Sequence, residues 1–252
     1  MRTEESVPAP NGAAADAAGQ RAVPAYLEQA YWWAYVHPRA VRLFERDWLV
    51  NLILFGNYGR LRDAALAGMQ TTLATAQTDT NSLSGNILQV ACAYGDITPT
   101  LLRRLDAQSH LDVVDVLPIQ LNNLQRKLPA DARVGLIRAD ASALPFDDGS
   151  YDQVLLFFLL HEMPEPVRRA TLAEALRVLR PGGRLVIIDY HAPRRWHPLR
   201  WLMRGVFRQL EPFAMDLWRH PVEHFMPNDL AWTARSHHTY FGGLYQRLIV
   251  TR

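Results

Sequence analysis

Cysteine is nearly absent from this chain, because Cys92 is the single one among 252 residues. One thiol cannot form an internal disulfide, so stability must come from a packed core, and the chain fits a reducing compartment. Long apolar runs are also missing. None approaches the ~18 residues that a membrane-spanning helix needs, so the sequence predicts no such span.

A strong excess of either charge is missing as well. The net charge is only +2, and the basic residues, almost all of them arginine, are scattered along the chain rather than concentrated in one stripe. This distribution argues against a nucleic-acid-binding surface. A hydrophobic content of 49% and a charged content of 21% are typical of a globular protein with a proper core. The length fits one α/β domain with appendages.

The composition changes along the chain and predicts four segments. Residues 1–22 are rich in Ala, Gly and Pro, and we expect a disordered tail rather than a signal or transit peptide. Residues 23–69 form an aromatic helical cap, interrupted before Pro38. Residues 70–85 are a polar linker, and residues 86–252 form the α/β domain. Two interpretations of the cap stay open: a lid packed on the core, or a pocket wall or membrane-facing surface for a flat apolar substrate.

The α/β part alternates between strand and helix patterns. Strands are predicted at 86–93, 111–116, 133–138, 153–160 and 184–189, with helices near 98–107, 118–128 and 166–179 between them. Such alternation predicts a mostly parallel, doubly wound, Rossmann-like sheet that binds ligands at the carboxyl ends of its strands. A hairpin or edge strand pair is expected over 240–251, turning at the two glycines 242–243.

The stretch Asn86–Asp96 organises this domain. It reads as a buried strand that turns tightly at Gly95 into a helix, which is where a nucleotide cofactor meets backbone N–H groups. Tight packing alone also explains such a turn. About 20 residues further on, Asp115 ends the next strand and is placed to bind a ribose diol, or is a solvated strand-end acid. Asp140, with Ala141, follows the third strand and either accepts from an adenine amino group or is a plain loop acid.

Two longer motifs resemble a known family. Residues 144–152, Leu-Pro-Phe-Asp-Asp-Gly-Ser-Tyr-Asp, and 177–183, Arg-Val-Leu-Arg-Pro-Gly-Gly, strongly resemble class I S-adenosylmethionine (SAM)-dependent methyltransferases, especially those acting on ubiquinone and menaquinone precursors. The resemblance covers residues 86–189. It implies the class I methyltransferase fold and SAM as cofactor. The matching cofactor-binding positions are Gln89, Ala91, Cys92, Ala93, Tyr94, Gly95, Asp115, Val116, Asp140 and Ala141.

A further resemblance extends over nearly everything beyond the tail. Residues 31–38, 48–54, 57–63 and 90–96 are similar to the rhodoquinone biosynthesis family. This resemblance implies a methyltransferase-like fold with a different reaction. Ubiquinone exchanges a ring methoxy group for an amino group, SAM supplies the nitrogen, and manganese is required.

The glycine-rich loop departs from the usual methyltransferase pattern of an acid followed by three alternating glycines. The matching positions here are Gln89, Ala91, Ala93 and Gly95. We expect the side chains of Cys92, Ala93 and Tyr94 to crowd the methionine end of SAM. Our hypothesis is that they turn SAM so that its amino group, not its methyl group, faces the quinone, while the two aspartates keep the adenosine in place.

Polar residues near the strand ends offer ligands and acid–base groups. The manganese ligands expected here are His161, Asp140, Asp189 and His191, with Glu162 also available, and the metal would polarise a quinone carbonyl. His161 is the preferred ligand or acid–base group, although a merely hydrogen-bonded structural histidine fits the same position. Tyr58 and Tyr94 are the expected catalytic donors to a quinone oxygen.

An arginine-bearing amphipathic region, 194–218, lies within an insertion near 194–232. It suits an anionic membrane surface, or packs as an ordinary surface helix. With ubiquinone as lipid substrate, we expect a cytoplasmic protein held peripherally at the inner (cytoplasmic) membrane, without a nucleic-acid partner. The alternatives to amino transfer are a quinone-precursor methyltransferase and a non-catalytic SAM-fold protein that binds quinone.

Overall fold

The structure is a computed structural model, and it describes residues 24–30, 43–70, 82–229, 231–232 and 234–252. The predicted tail, the segment with the break before Pro38, and most of the predicted linker lie outside these residues. The helices are α1 (Ala25–Ala30), α2 (Asp47–Ile53), α3 (Tyr58–Met69), α4 (Ile97–Arg104), α5 (Pro118–Lys127), α6 (Glu165–Arg177), α7 (Arg200–Leu210) and α8 (Met215–Arg219). The strands are β1 (Asn86–Val90), β2 (His110–Asp115), β3 (Val134–Arg138), β4 (Tyr151–Phe157), β5 (Leu179–Tyr190), β6 (Ala234–Tyr240) and β7 (Tyr245–Thr251).

The seven strands form one sheet in the order β3-β2-β1-β4-β5-β7-β6. The first five are parallel. At one edge, β7 pairs antiparallel with β5, and β6 pairs antiparallel with β7. The strand order reverses direction at β1, and this is the position where a doubly wound sheet opens a crevice for a ligand. The predicted Rossmann-like, mostly parallel and doubly wound sheet is confirmed.

The predicted elements are found with small shifts at their ends. β1 ends at Val90, three residues before the expected end, because Ala91 has a φ of 71° that a strand cannot continue through. The hairpin turns at the two glycines as expected, but β6 begins already at Ala234, six residues earlier than predicted. Its polar pattern gave little strand signal, because an edge strand is partly solvated.

Helix α3 belongs to the core although it comes from the predicted cap. Leu61, Ala65 and Leu66 are fully buried. The helix approaches the sheet closely at Gly68, where an added Cβ would lie 3.1 Å from Ile249 and 3.3 Å from Val186. α3 is therefore one of the helices that cover the sheet.

The predicted amphipathic region is two helices, α7 and α8, rather than one continuous helix. Pro212 lies between them and interrupts the backbone pattern, as expected. On α7, Met203 and Phe207 are buried, and the Phe207 ring lies 4.9 Å from that of Tyr190 at the end of β5. This packing places α7 beside the carboxyl ends of the central strands.

Candidate active site

A cavity of about 720 Å³ lies at the carboxyl ends of the parallel strands. One side, which we call the acidic end, is formed by Asp115, Val116, Asp140 and Ala141 after β2 and β3. The opposite side, the apolar end, is formed by α2, α7 and the turn after β4 that carries His161. The loop after β1 lines the cavity between them with Ala91, Cys92, Ala93 and Tyr94.

The loop after β1 has two residues with left-handed backbone. Gly95 has a φ of 84°, and a Cβ at this position would lie 2.5 Å from the Tyr58 ring and hydroxyl. Only glycine fits there, which explains why this one glycine of the motif is kept. Ala91 has a φ of 71° although, unlike glycine, it carries a Cβ. The loop therefore stores about 1 kcal/mol of backbone strain at a position where the usual motif has glycine.

Gln89 is buried beneath the loop and does not line the cavity. Its amide nitrogen donates to the Ala91 carbonyl at 3.0 Å, and its amide oxygen accepts from the Thr98 hydroxyl at 2.9 Å. An amide can do both, whereas a carboxylate only accepts. The replacement of the usual acid by glutamine therefore supports the loop. Gln89 and Gly95 shape the predicted cofactor site from outside its lining.

Asp115 is nearly fully buried at the acidic end. Its two oxygens accept from the backbone N–H groups of Cys92 and Leu117, both at 2.8 Å. Burial raises the pKa of the carboxyl to about 6, and the two N–H groups oppose that shift. A carboxylate offers about four acceptor positions, so capacity remains for a diol.

The second predicted acid, Asp140, borders the same end of the cavity. Its Oδ1 accepts from the backbone N–H and the hydroxyl of Ser142, at 2.9 and 2.7 Å. These bonds fix the loop after β3. Val116, Asp140 and Ala141 all line the same cavity.

Tyr94 and Cys92 occupy space in the cavity wall. The Tyr94 hydroxyl accepts from the Gln120 amide at 2.9 Å, and its ring stacks on Phe44 at 5.8 Å. Burial raises the pKa of the Cys92 thiol well above its usual range, and the charge of Asp115 adds to the effect, so Cys92 is a neutral thiol here. The crowding side chains expected in this loop do line the cavity.

Tyr58 also borders the cavity, but its hydroxyl is engaged by the loop. It accepts from the backbone N–H of Ile97 at 2.9 Å, at the first turn of α4. This contact holds the helix start against α3, which is a structural function that the sequence did not indicate.

Glu45 connects the segment before α2 to the cofactor loop, and the sequence gave no sign of it. Its carboxylate accepts from the Gly95 N–H at 3.3 Å and from the side chains of Asn123 and Lys127 on α5. Lys127 also donates to the Gly95 carbonyl. Glu45 and Lys127 are 82 positions apart in the sequence, so no local pattern could have revealed their contact.

His161 lies in a short 3-10 turn, Leu160–Glu162, directly after β4. Its Nδ1 bonds Asp189 Oδ1 at 2.9 Å, and the second carboxylate oxygen of Asp189 accepts from the Leu160 N–H at 2.8 Å. Burial alone lowers the pKa of the imidazole, but the charge and hydrogen bond of Asp189 outweigh it and raise the pKa to about 9. His161 is therefore protonated at neutral pH.

Two further carboxylates face the other ring nitrogen. His161 Nε2 lies 3.8 Å from Glu162 and 3.9 Å from Glu211, a residue that borders the cavity beyond the end of α7. Their charges also favour the imidazolium. Glu211 was missed from the sequence because it comes 50 residues after His161.

A fully buried arginine holds the turn in place. Arg168 on α6 donates to the carbonyls of Leu160, Met163 and Phe213 at 2.8 to 3.0 Å. It also lies 3.6 Å from Asp216 on α8. Arg168 thus connects the His161 turn to the α7–α8 region.

The predicted manganese ligands do not come together as one site. Asp189 and His191 are absent from the cavity lining, and His191 Nδ1 bonds the Gly243 carbonyl at 2.7 Å. Asp189 instead bonds the His161 ring, and Asp140 bonds Ser142. Across the described part of the chain, no group of three or more His, Cys, Asp and Glu side chains is arranged to hold a metal. The expected ligand set is therefore not supported.

The described residues include no helix that is both long and apolar enough to cross a bilayer.

Solved structures share this fold at low sequence identity. The N-methyltransferase NodS from Bradyrhizobium japonicum superimposes with a TM-score of 0.55 at 14% identity, over 77% of this chain and 86% of that one. Human N-acetylserotonin methyltransferase gives a TM-score of 0.59 at 13% identity, over 90% of this chain and 62% of that one. Residues 87–183 match the family model described as a methyltransferase domain. The chain is therefore similar to methyltransferases in its fold, and to a methyltransferase domain over residues 87–183.

Among curated proteins, this chain is similar to enzymes named as quinone methyltransferases. A demethylmenaquinone methyltransferase from Clavibacter sepedonicus is 36% identical over 52% of this chain and 50% of its own length. The ubiquinone/menaquinone biosynthesis C-methyltransferase UbiE of Idiomarina loihiensis is 33% identical over 42% of this chain and 43% of its own. A demethylmenaquinone methyltransferase from Lactiplantibacillus plantarum is 28% identical over 71% of each chain. The chain spans about half the length of the first two relatives.

Proposed function

We propose that this protein is a SAM-dependent transferase acting on an isoprenoid quinone, and that it transfers the amino group of SAM in place of a ring methoxy group of ubiquinone, as in rhodoquinone biosynthesis. The observation that carries the proposal is a single cavity that joins the acidic end to a protonated His161 beside an apolar wall. The relatives that act on quinone-type substrates support the substrate class.

The acidic end suits the adenosine half of SAM. Asp115 is held by two backbone N–H groups, so its remaining acceptor positions point to a fixed place. A ribose diol donates two hydrogen bonds to such a carboxylate. We infer that Asp140, which lines the cavity from the neighbouring loop, accepts from the adenine amino group.

The apolar end suits a flat ring with an apolar tail. Leu49, Val50 and Leu54 of the α2 region line it from one side, and Met203 and Val206 of α7 from the other. Burying such a ligand among aliphatic side chains contributes roughly 25 cal/mol per Å² of apolar surface. Phe158 and Tyr190 place aromatic edges near the His161 ring, with centroids 6.1 and 4.8 Å away.

The charge on His161 favours amino transfer over methyl transfer. In the proposed step the SAM nitrogen adds to the ring carbon that carries the methoxy group, and the imidazolium donates a proton to the quinone oxygen on which negative charge develops. The methoxy group then leaves as methanol. Loss of the SAM α-proton moves an electron pair into the ring and gives an imine, which water hydrolyses to an aminohydroquinone and the 2-oxo acid of SAM. Under this proposal the imidazolium polarises the quinone carbonyl, which is the function that the sequence led us to expect of a metal ion. Transfer of a methyl group to a ring carbon requires removal of a proton instead, which a histidine protonated at neutral pH does poorly.

The loop after β1 also supports amino transfer. Alanine replaces two of the usual glycines, at Ala91 and Ala93, and the side chains of Cys92, Ala93 and Tyr94 line the cavity between its two ends. We infer that they displace the methionine half of SAM from the position it takes in a methyltransferase, so that the amino group faces the ring.

Methyl transfer to a quinone precursor is the second candidate, and the curated relatives favour it. A non-catalytic quinone-binding protein is the third candidate, and the altered loop favours it. The three candidates differ in what they do with SAM, so one assay separates them.

The assay uses two isotopically labelled forms of SAM with ubiquinone, and mass detection of the quinone product. SAM labelled with nitrogen-15 gives a labelled aminoquinone under the proposal, whereas SAM with a deuterated methyl group leaves the product unlabelled. A deuterated product with unlabelled nitrogen refutes amino transfer and establishes methyl transfer. SAM binding without any product, with and without added Mn²⁺, favours the non-catalytic candidate.

A further inference from the structure

The opening of the cavity is bordered by apolar side chains that remain exposed. Leu43, Leu52, Ile53 and Leu210 all line the cavity and are all exposed to solvent. Leu52 alone exposes 63% of its surface. Water therefore meets a leucine- and isoleucine-rich rim at the apolar end, which is costly unless something covers it.

The same apolar surface continues outward along both helices. On α2, Trp48 lies one helical turn from Leu52 and is 58% exposed. On α7, Leu202 lies one turn from the cavity-lining Val206 and is exposed. Trp201 at the start of α7 is 76% exposed, and Trp196 just before it is 95% exposed.

The segment that carries these tryptophans is strongly basic. Residues 191–210 contain no Asp or Glu, and they contain the five arginines Arg194, Arg195, Arg200, Arg204 and Arg208. All are exposed except Arg200, which is half-buried and donates to the Pro193 carbonyl. Arg204 lies over the Trp201 ring at 5.3 Å, so positive charge and exposed aromatic surface occur together.

We propose that this surface, which we call the rim surface and define as Trp48, Leu52, Trp196, Trp201, Leu202, Leu210 and the exposed arginines of 194–208, docks on an anionic lipid bilayer. Arginines attract anionic headgroups, while tryptophan and leucine side chains enter the boundary between headgroups and acyl chains. Docking opens the apolar end of the cavity toward the bilayer. The identity of what then enters, an isoprenoid quinone, rests on the proposed function; the docking itself does not.

Charge decides between a bilayer and a second copy of this chain. A symmetric dimer through the rim surface would place the same arginines opposite one another, because a two-fold interface pairs one patch with itself. That arrangement carries like charges without a compensating acid from 191–210. An anionic bilayer neutralises all of them.

The test is flotation with vesicles of phosphatidylcholine, with or without phosphatidylglycerol. We expect the full-length protein to bind the anionic vesicles, and added salt to weaken this binding. Replacement of Arg204→Gln and Arg208→Gln together reduces the partition coefficient about 25-fold, from about fivefold for each arginine. Replacement of Trp196→Ala and Trp201→Ala together reduces it about tenfold or more.

The matched control carries Arg103→Gln and Arg126→Gln, which remove the same charge from exposed positions on α4 and α5. We expect its partition coefficient to equal that of the wild type. If the control lost as much vesicle binding as the Arg204→Gln and Arg208→Gln variant, the loss would be explained by net charge alone, and the proposal would be overturned. Self-association in sedimentation velocity that the rim variants abolish, without vesicle binding, would assign the surface to a second copy instead.

The outcome is independent of the proposed function. The rim variants should keep wild-type SAM affinity in calorimetry and wild-type turnover of a short-chain, water-soluble quinone, while turnover of vesicle-embedded ubiquinone falls with the partition coefficient. Vesicle binding without any turnover would leave the docking surface established and the quinone reaction refuted. Turnover of vesicle-embedded ubiquinone that is unchanged in the rim variants would refute docking alone.

Discussion

The two ends of the cavity are built in different ways. At the acidic end, Asp115 is the last residue of β2 and Asp140 lies two residues after β3, and their partners lie within about 25 residues along the chain. At the apolar end, His161 depends on Asp189, and the wall comes from helices that lie before and after the α/β core. The first end is built from strand ends, and the second from parts of the chain that lie far apart. Under the proposed function, the first end holds SAM and the second holds the quinone.

If the two ends bind SAM and the quinone as proposed, cofactor binding is separated from the chemistry of the acceptor. A substitution at the acidic end should change SAM affinity and leave proton donation to the quinone unchanged. A substitution at His161 should do the reverse. Five measurements test that separation.

The largest expected effect is at His161. The substitution His161→Asn should lower turnover by about 10² to 10⁴-fold, the usual contribution of a positioned proton donor, with SAM affinity unchanged. The pH profile sharpens the result. A pKa of about 9 in the folded protein means that amino transfer declines as pH rises through 9, whereas base-dependent methyl transfer would increase over the same range.

Gly95→Ala tests the loop that lies between the two ends. The new Cβ would clash with Tyr58 at a positive φ, so we expect a loss of about 3 kcal/mol in the free energy of unfolding. Denaturant unfolding measures it. Gly205→Ala on α7, where an added Cβ meets nothing within 4 Å, is the control and should be neutral or stabilising.

Asp115→Asn tests the acidic end directly. Losing charge-assisted hydrogen bonds to a ribose diol should weaken SAM binding about 100-fold in calorimetry. The control Asp112→Asn changes a carboxylate of the same strand that bonds Tyr151 and lies outside the cavity lining. Equal losses in both variants would show that the effect is on folding rather than on the cofactor.

The pH dependence of SAM binding follows from the buried Asp115. Because burial raises the pKa of this carboxyl to about 6, the ionised form that accepts the diol is lost as pH falls through 6. We expect SAM affinity to fall about tenfold per pH unit below that value. In Asp115→Asn the dependence should disappear, and a persisting slope would assign it to another group.

The smallest expected effect is at Ala91. The substitution Ala91→Gly removes left-handed strain and should raise the free energy of unfolding by up to about 1 kcal/mol. If this loop turns SAM as proposed, Ala91→Gly combined with Ala93→Gly should also increase the share of methyl-labelled product in the isotope assay. An unchanged product ratio would count against the loop as the determinant.

The acidic end was largely predictable, because its residues obey local rules. A strand that ends in an acid about 20 residues after a tight turn is a pattern visible in the sequence, and Asp115 and Asp140 do border the cavity. The prediction for the metal ligands went further than such rules allow. Asp189 and His191 stand two residues apart at the end of one strand, a spacing that favours the same face of the sheet. Long-range partners separate them instead, because Asp189 bonds the His161 ring and His191 bonds the Gly243 carbonyl.

The sequence by itself determined the order of strands and helices, because apolar periodicity and turn residues act over a few positions. Only the tertiary structure decided what Gln89, Glu45 and Arg168 do, since each meets partners that no local pattern connects to it. It also decided that His161 is charged. That charge comes from a carboxylate 28 residues away, brought within 2.9 Å by the pairing of β4 with β5.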